Sequence, residues 1–471
     1  MGPGRHPGQL RRPPRAVAVA QAMGRGRPGA GRGVPQDDPP RVRRRLRGGH
    51  RAGRGRAGRP RSEVPDRRHR PARRRPGELR LSGGDVDLRE TPDQRRLRVE
   101  LRAYFADLLP EEERRRAGEA GVGGDRFREI VRRLGADGWL GLGWPVEYGG
   151  RGRSLEDQYV FFDEVQRAGL PFPFVTVNTV GPTLMSHGTE EQRRRFLPGI
   201  LAGEIVFAIG YTEPGAGTDL ASLTTRAVRE GDEFVVDGAK IFTSGANTAD
   251  FVWLACRTDP GAPRHRGISI LIVSTGASGF SWSPIRTVGG TVVTATYYSG
   301  VRVPARDVVG EVNGGWRLIT TQLNHERVGL AALGGRMIEL WEGVLDWAVA
   351  DGRLDLPWVR RELALCHVRL EAMRLLNWKM AGAAARGELT GAGAAAAKVY
   401  GTETHIHVQR VLTGVLGAAG RIRPESPGAV LGGQLEQLSR QGVVNTFGGG
   451  VNEVLRDMIA TQGLGLPRTD R

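Results

Sequence analysis

YTEPGAGTDLASL, residues 211–223, followed at 237–246 by DGAKIFTSGA, is the stretch on which the reading of this chain turns. Thr212, Gly215, Gly217 and Thr218 bring small and hydroxyl-bearing side chains together, so backbone amides can approach a flat, multiply hydrogen-bonding ligand closely. A lone glycine-rich run carries little information. Two such runs joined by strand-forming sequence suggest a shelf for a flavin ring.

Around this stretch the period of the sequence changes twice. From Thr91 the pattern is helical: Thr91 caps, Pro92 takes the first position, Gln94 completes a capping box, and Leu97, Leu101, Phe105 and Leu108 form one apolar stripe. A second box opens at Thr189 with Gln192, ahead of Phe196, Leu197 and Ile200, while Gly138–Gly152 is too rich in Gly and Pro for a helix. Between about 205 and 312 short β-type runs follow one another (EFVVDG, AKIFTS, DFVWLACRT, GISILIVS, TYYSGVRVP), and Asp237-Gly238 predicts a hairpin between the first two. Strands so closely spaced predict an antiparallel sheet or small barrel. From Gly315 long, alanine-rich helices return. The predicted class is α+β: an extension at 1–85, a helical N-terminal domain at 86–204, a β domain at 205–312 and a helical C-terminal domain at 313–471.

The 471 residues suffice for two or three domains with their own cores. The formal charge of +18 invites a nucleic-acid reading, but residues 1–80 hold 24 Arg against 5 acids, whereas residues 81–471 hold 45 basic and 46 acidic side chains. The folded part is therefore neutral. The Arg/Gly/Pro-rich extension cannot bury enough apolar surface to offset chain entropy and is expected to be disordered. A basic tail can bind RNA, DNA or anionic lipid. Its Arg-over-Lys bias points instead to a GC-rich coding sequence with a start placed too far upstream, and Val86 is the expected native start. The absence of an apolar run of 18 residues or a signal-type segment argues against a membrane span or secretion. Cys256 and Cys366, in apolar segments far apart, read as reduced core residues of a cytoplasmic protein. His405 and His407 flank Ile406 without a Cys or acid at ligand spacing, so no metal site is expected.

A helix beginning near Trp316 carries Trp316, Ile319, Leu323, Leu330, Leu333, Met337, Leu340, Val344 and Trp347 at helical spacing, with Glu326 and Arg327 in the gap between Leu323 and Leu330. A carboxylate on a buried stripe loses hydration, which raises its pKa and makes it a better proton acceptor near neutrality. From the residues alone, Glu326 is equally readable as half of a buried ion pair.

The quoted runs resemble the acyl-CoA dehydrogenase family, and the likeness continues through GWLGLGWPVEYGGRG (138–152), GTEEQRRRFLPGILAGE (188–204), VRVPARDVVGE (301–311) and LGLPR (464–468). The resemblance implies an N-terminal helical domain, a β domain and a C-terminal helical bundle. It also implies FAD-dependent α,β-desaturation of an acyl-CoA thioester, with electrons passed to an electron-transfer flavoprotein. In the family the catalytic Glu stands either just before the Gly of a GTSQI-like motif or on the first long helix of the C-terminal domain. The first position is here Gly449 in NTFGGGVNEVLRD; the second matches Glu326 in LNHERV. Glu453 fits better as a first-turn acid behind an Asn452 cap. Glu326 would take the α-proton as the β-hydrogen leaves as hydride. The enolate oxygen would be held by a flavin hydroxyl and a backbone amide near Gly449. Family positions for the cofactor carry over to Tyr211, Thr212, Gly217, Thr218, Phe242 and Ser244, with Phe242 covering one ring face; taken alone, Phe242 reads equally well as a strand core residue. Arg327 would lie beside the pantetheine path or neutralise Glu326, and Asn324 joins it as a substrate contact.

Many family members supply a neighbouring subunit's FAD with an Arg and two Gln. Here Pro357 stands at one Gln position in DGRLDLPWVRRELA (351–364) and Gly414 at the other in GVLGAAG (414–420). That pattern resembles actinobacterial heterotetrameric dehydrogenases of steroid side-chain CoA esters, and implies a homo- or heterotetramer with a second subunit supplying the missing contacts. Three other readings compete: an oxygen-using flavin hydroxylase or nitroalkane oxidase on the same scaffold, a non-catalytic subunit that holds FAD for its partner, and a nucleic-acid binder resting on the tail alone.

Overall fold

The computed structural model describes residues 89–110, 124–330 and 334–468, with the backbone alone at 323–330. These residues belong to one compact unit, 82–471. The expected extension, 1–85, lies outside the described residues.

Among the described residues, the first layer is formed by α1 (Pro92–Leu108), α2 (Gly124–Ala136), α3 (Leu155–Arg167), α4 (Gly181–His187) and α5 (Glu190–Leu201). Both expected capping boxes are present, Thr91 with Gln94 and Thr189 with Gln192. Gln192 does more than cap: its Nε2 donates to Arg306 O and Val308 O, each at 2.7 Å, and so ties α5 to the end of the β domain. Leu101, Phe105, Phe161, Trp139 and Phe196 fill the core between these helices, with Trp139 stacked on Phe161.

The β domain is an eight-stranded sheet in the order β6-β7-β3-β2-β4-β5-β8, with β1 beside β4. Its strands are β1 (Phe207–Gly210), β2 (Arg226–Glu230), β3 (Glu233–Ser244), β4 (Phe251–Arg257), β5 (Ile268–Ser274), β6 (Phe280–Arg286), β7 (Val292–Pro304) and β8 (Val308–Val309). Pairing is antiparallel except for β1 with β4 and a single β2–β4 bridge.

The expected hairpin at Asp237-Gly238 is not one. EFVVDGAKIFTS is a single strand, β3, and the turn lies earlier, at Gly231-Asp232 between β2 and β3. Gly238 is required by a close approach, since a Cβ there would stand 2.8 Å from Thr225 Cα. Asp237 accepts the N–H of Gly300, at the place where the register of β7 slips against β3.

The C-terminal helices are α6 (Gly315–Leu330), α7 (Gly334–Ala350), α8 (Pro357–Ala385), α9 (Gly391–Leu416), α10 (Gln434–Gln441) and α11 (Asn452–Met458). The stripe expected on one long helix is divided between α6 and α7. Ile319 is buried against the first two layers, whereas Met337, Leu340 and Val344 enter a separate core with α8 and α9. Cys256 and Cys366 are buried free thiols, pushed upward by burial, to about 12 and about 11.

Candidate functional site

The two glycine-rich segments meet. Ile241 N donates to Thr212 O at 2.8 Å, and Lys240 Nζ donates to Tyr211 O at 3.0 Å and to Glu213 Oε1 at 2.8 Å. Glu213 in turn accepts from the N–H groups of Thr224 and Thr225 and from the Thr224 hydroxyl. The Lys240 and Glu213 side chains are 0% and 5% exposed, so this pair joins both segments from beneath. Burial alone would raise the Glu213 carboxyl, but the Lys240 charge and the Thr225 and Thr224 hydrogen bonds outweigh it and hold Glu213 down to about 2. Burial lowers the Lys240 ammonium, against the opposing pull of Glu213. Motif reading along the chain singles out neither residue. Lys240 shares strand parity with the buried Phe234 and Val236, and a lysine on the inward face of a strand is a signal that it has a partner.

Beyond Lys240 the strand changes phase. Lys240 pairs with Thr296 and Thr243 with Thr294, so β3 carries one extra residue at Ile241–Phe242. The bulge puts Phe242 at φ +59°, a conformation that costs a bulky residue on the order of 1–3 kcal/mol, and leaves its ring 60% exposed. Phe242 is thus no core residue. Ser244, two residues on, is also exposed, at the strand end. In the segment that Ile241 joins, Glu213 and Ala216 close a tight turn, Gly217 and Thr218 are exposed, and a Cβ at Gly215 or Gly217 would meet no atom within 4 Å. A strained, presented aromatic ring beside an open, small-residue turn fits a flat ligand lined with hydrogen-bonding groups, as an isoalloxazine is.

Tyr211 extends the site to α6. Its hydroxyl donates to Gln322 Oε1, Gln322 Nε2 donates to Thr183 Oγ1 at 2.9 Å, and Thr183 donates to Thr179 O at 2.7 Å. Thr179 belongs to a π-turn, Thr176–Val180, and Gln322 is 2% exposed. Glu326 follows Gln322 by one helical turn of α6. The side chains of Asn324, Glu326 and Arg327 lie outside the described residues.

The second candidate region is the irregular C-terminal segment. Gly449 and Gly450 have φ of +65° and +106°, and Gly448 N donates to Val444 O at 2.7 Å. Asn452 is not the helix cap expected. Val451 takes that place, and the Asn452 side chain turns instead to α9, accepting from Lys398 at 2.8 Å and donating to Thr402 at 3.1 Å. Glu453 is exposed. Lys398, Thr402, His405 and Gln409 recur every three or four residues and form a buried polar stripe on α9, with Gln409 donating to Leu435 O at 3.4 Å. Such a stripe supplies hydrogen bonds that non-helical backbone cannot make for itself.

His405 and His407 do not act together, since His405 is buried and His407 exposed. Among the described residues no group of three His, Cys, Asp or Glu gathers as a metal site. His405 Nε2 is buried and, among the described residues, has no hydrogen-bond partner, and burial pushes His405 down to about 4. Between pH 6.5 and 4 the unfolded chain therefore binds the proton that the folded chain refuses. Folding stability is expected to drop by about 3 kcal/mol as pH falls through that window. His405→Leu should flatten that part of a urea-midpoint profile against pH; an unchanged slope would contradict the assignment.

Sequence models of the acyl-CoA dehydrogenase N-terminal, middle and C-terminal domains match residues 91–204, 208–299 and 313–464. The chain belongs to the acyl-CoA dehydrogenase family and is an acyl-CoA dehydrogenase. It is 51% identical over 396 residues to acyl-CoA dehydrogenase FadE26 of Mycobacterium tuberculosis, covering 81% of this chain and 99% of that one. The solved Tcur3481-Tcur3483 steroid ACAD matches with a TM-score of 0.80 at 76% identity, over 82% of this chain and all of that one. The ChsE4-ChsE5 complex from M. tuberculosis matches with a TM-score of 0.76 at 50% identity, over 81% and 99%. The chain thus resembles the steroid branch of the family. No described helix is long and apolar enough to cross a membrane.

Proposed function

We propose that this chain, with FAD, desaturates the α,β bond of a bulky acyl-CoA thioester of the steroid side-chain type and passes the electrons to an electron-transfer flavoprotein in the cytoplasm. The observation that carries the cofactor is the lacing of 211–213 to 239–241 by Lys240, with Phe242 displayed on its bulge. Tyr211, Thr212, Gly217, Thr218, Phe242 and Ser244 would hold the flavin, which when bound supplies the acceptor for the β-hydrogen. Glu326 takes the α-proton. Asn324 and Arg327, near it on α6, contact the thioester and its pantetheine. The glycine turn at Gly449 presents a backbone amide to the carbonyl oxygen as negative charge develops there.

A second acyl-CoA dehydrogenase subunit completes the flavin site. Pro357 is the first residue of α8 and Gly414 lies near the end of α9, where a Cβ would meet nothing within 4 Å. A Cβ at 414 would meet no atom of this chain, yet the chain places no side chain there. The related solved structures bear paired names, Tcur3481-Tcur3483 and ChsE4-ChsE5.

The test is co-expression with candidate second subunits, then a panel of CoA esters with a dye acceptor, run with and without oxygen. Dye reduction by the complex, no oxygen uptake and poor FAD retention by the isolated chain are expected. Stoichiometric FAD and full turnover in the isolated chain would refute the shared site, and substrate-dependent oxygen uptake would move the chain to the oxidase reading.

Phe242→Gly separates the ring's function from its strain. Glycine accepts φ +59°, so the apo chain should gain about 1 kcal/mol in stability. FAD affinity should fall about tenfold with the loss of a stacking ring. Lower apo stability with unchanged affinity would show that Phe242 serves packing.

A further inference from the structure

Lys398 is 2% exposed, and its ammonium donates to Gly450 O at 2.7 Å and to Asn452 Oδ1 at 2.8 Å. The carbonyl it holds closes a turn in which Gly449 and Gly450 both have positive φ. Consecutive glycines in that region are the loosest backbone a protein can use, because no Cβ restricts them. Asn452 carries the restraint onward, donating to Thr402 Oγ1 at 3.1 Å and to Glu403 Oε1 at 3.3 Å, so the C-terminal end of the turn is tied to one helix, α9.

We propose that Lys398 is a positioning residue for catalysis: through Gly450 O and Asn452 it fixes the Gly448–Gly450 turn so that its backbone N–H points at the thioester carbonyl oxygen as the enolate forms. The inference rests on the desaturation reading above and gives that reading's amide donor its support. A charge-assisted bond to Gly450 O sets the plane of the Gly450–Val451 peptide, and the N–H groups of the turn are then held between that anchored peptide and the bond from Gly448 N to Val444 O. Enolate stabilisation depends on such a donor being aimed before the charge appears, whereas ground-state binding of the long CoA ester depends on it little.

The experiment uses the co-expressed, FAD-loaded complex and a steroid side-chain CoA thioester, and compares wild type with Lys398→Met. Three quantities are read: the kcat and KM split, the exchange of substrate α-protons with D2O followed by NMR, and the melting temperature. Expected for Lys398→Met are retained FAD, KM within a few-fold of wild type, and kcat and α-proton exchange both lowered about 100-fold. Wild-type exchange and kcat in a folded Lys398→Met complex would overturn the inference, as would a kcat loss that merely follows lost FAD or a lowered folded fraction. Should Lys398→Met fail to accumulate, Asn452→Ala, which removes the Asn452 acceptor and keeps the lysine, is expected to lower exchange about tenfold with KM unmoved, and unchanged exchange there overturns the inference. A wild-type complex that neither reduces the dye nor exchanges α-protons removes the desaturation reading and this inference together, whereas an active wild type with an equally active Lys398→Met removes the inference alone.

Discussion

Glu326→Gln is expected to lower kcat by about 10²–10⁴-fold while the complex still binds FAD and its CoA ester. The glutamine keeps the size of the side chain and removes the basic oxygen, so only proton abstraction is lost. Nothing else in the sequence stands where the family keeps its other base, because that position is Gly449 and Glu453 is exposed on the first turn of α11. The helix that carries Glu326 is anchored just before it. Gly315 packs so closely that a Cβ would lie 2.8 Å from Ile268 O, and Gln322 is bonded to Tyr211 and Thr183. α-Proton exchange into D2O is the direct reading, since it reports removal of the proton without hydride transfer. Full exchange and turnover in Glu326→Gln would refute the assignment, and the restoration of activity when Gly449→Glu is added to Glu326→Gln would further identify the two seats as equivalent.

Lys240→Met is expected to cost about 3–5 kcal/mol of folding stability and to release the flavin. The lysine side chain is fully buried, and removing its charge strands Glu213 among the Thr224 and Thr225 donors with no countercharge. It also frees Tyr211 O, so the two segments lose a shared restraint. Lys240→Met combined with Glu213→Gln should recover most of the stability, because the loss arises from the stranded carboxylate. The pair also has an acid signature. Glu213 has a usual value of 4.5 and is held at about 2 when folded, so its contribution is full above pH 4.5 and is lost as pH falls toward 2, about 3 kcal/mol in all. Urea unfolding at several pH values should show this loss in wild type and not in the double variant. Equal stability of Lys240→Met and wild type would sink the claim.

Much of the fold was legible because it is local. Thr91 and Thr189 each declare a helix start through a box four residues long, and the strands of the β domain announce themselves by branched and aromatic runs. Asp237-Gly238 misled because the dipeptide that suits a hairpin also suits a strand crowded by a neighbour, here Thr225, whose approach exists only once the sheet has formed. The division of the stripe between two cores was hidden for a similar reason. An apolar stripe keeps its period whether it meets one core or two, and only packing sends Ile319 and Met337 into different ones.

The family, the order of helical, β and helical blocks, the two glycine-rich segments and the residue types available for the chemistry are all legible along the chain, since each depends on local composition and spacing. Which face those residues present depends on contacts that exist only in the folded chain. Strand parity places Phe242 with Lys240 on the inward side; one inserted residue reverses the phase and turns the ring outward, because β7 on its other edge fixes the register on both sides of the bulge. Lys240 beneath Glu213, Gln322 between Tyr211 and Thr183, and Lys398 under Gly450 were likewise settled by contacts between segments far apart in the chain, where a polar group removed from water must find its partner across the fold.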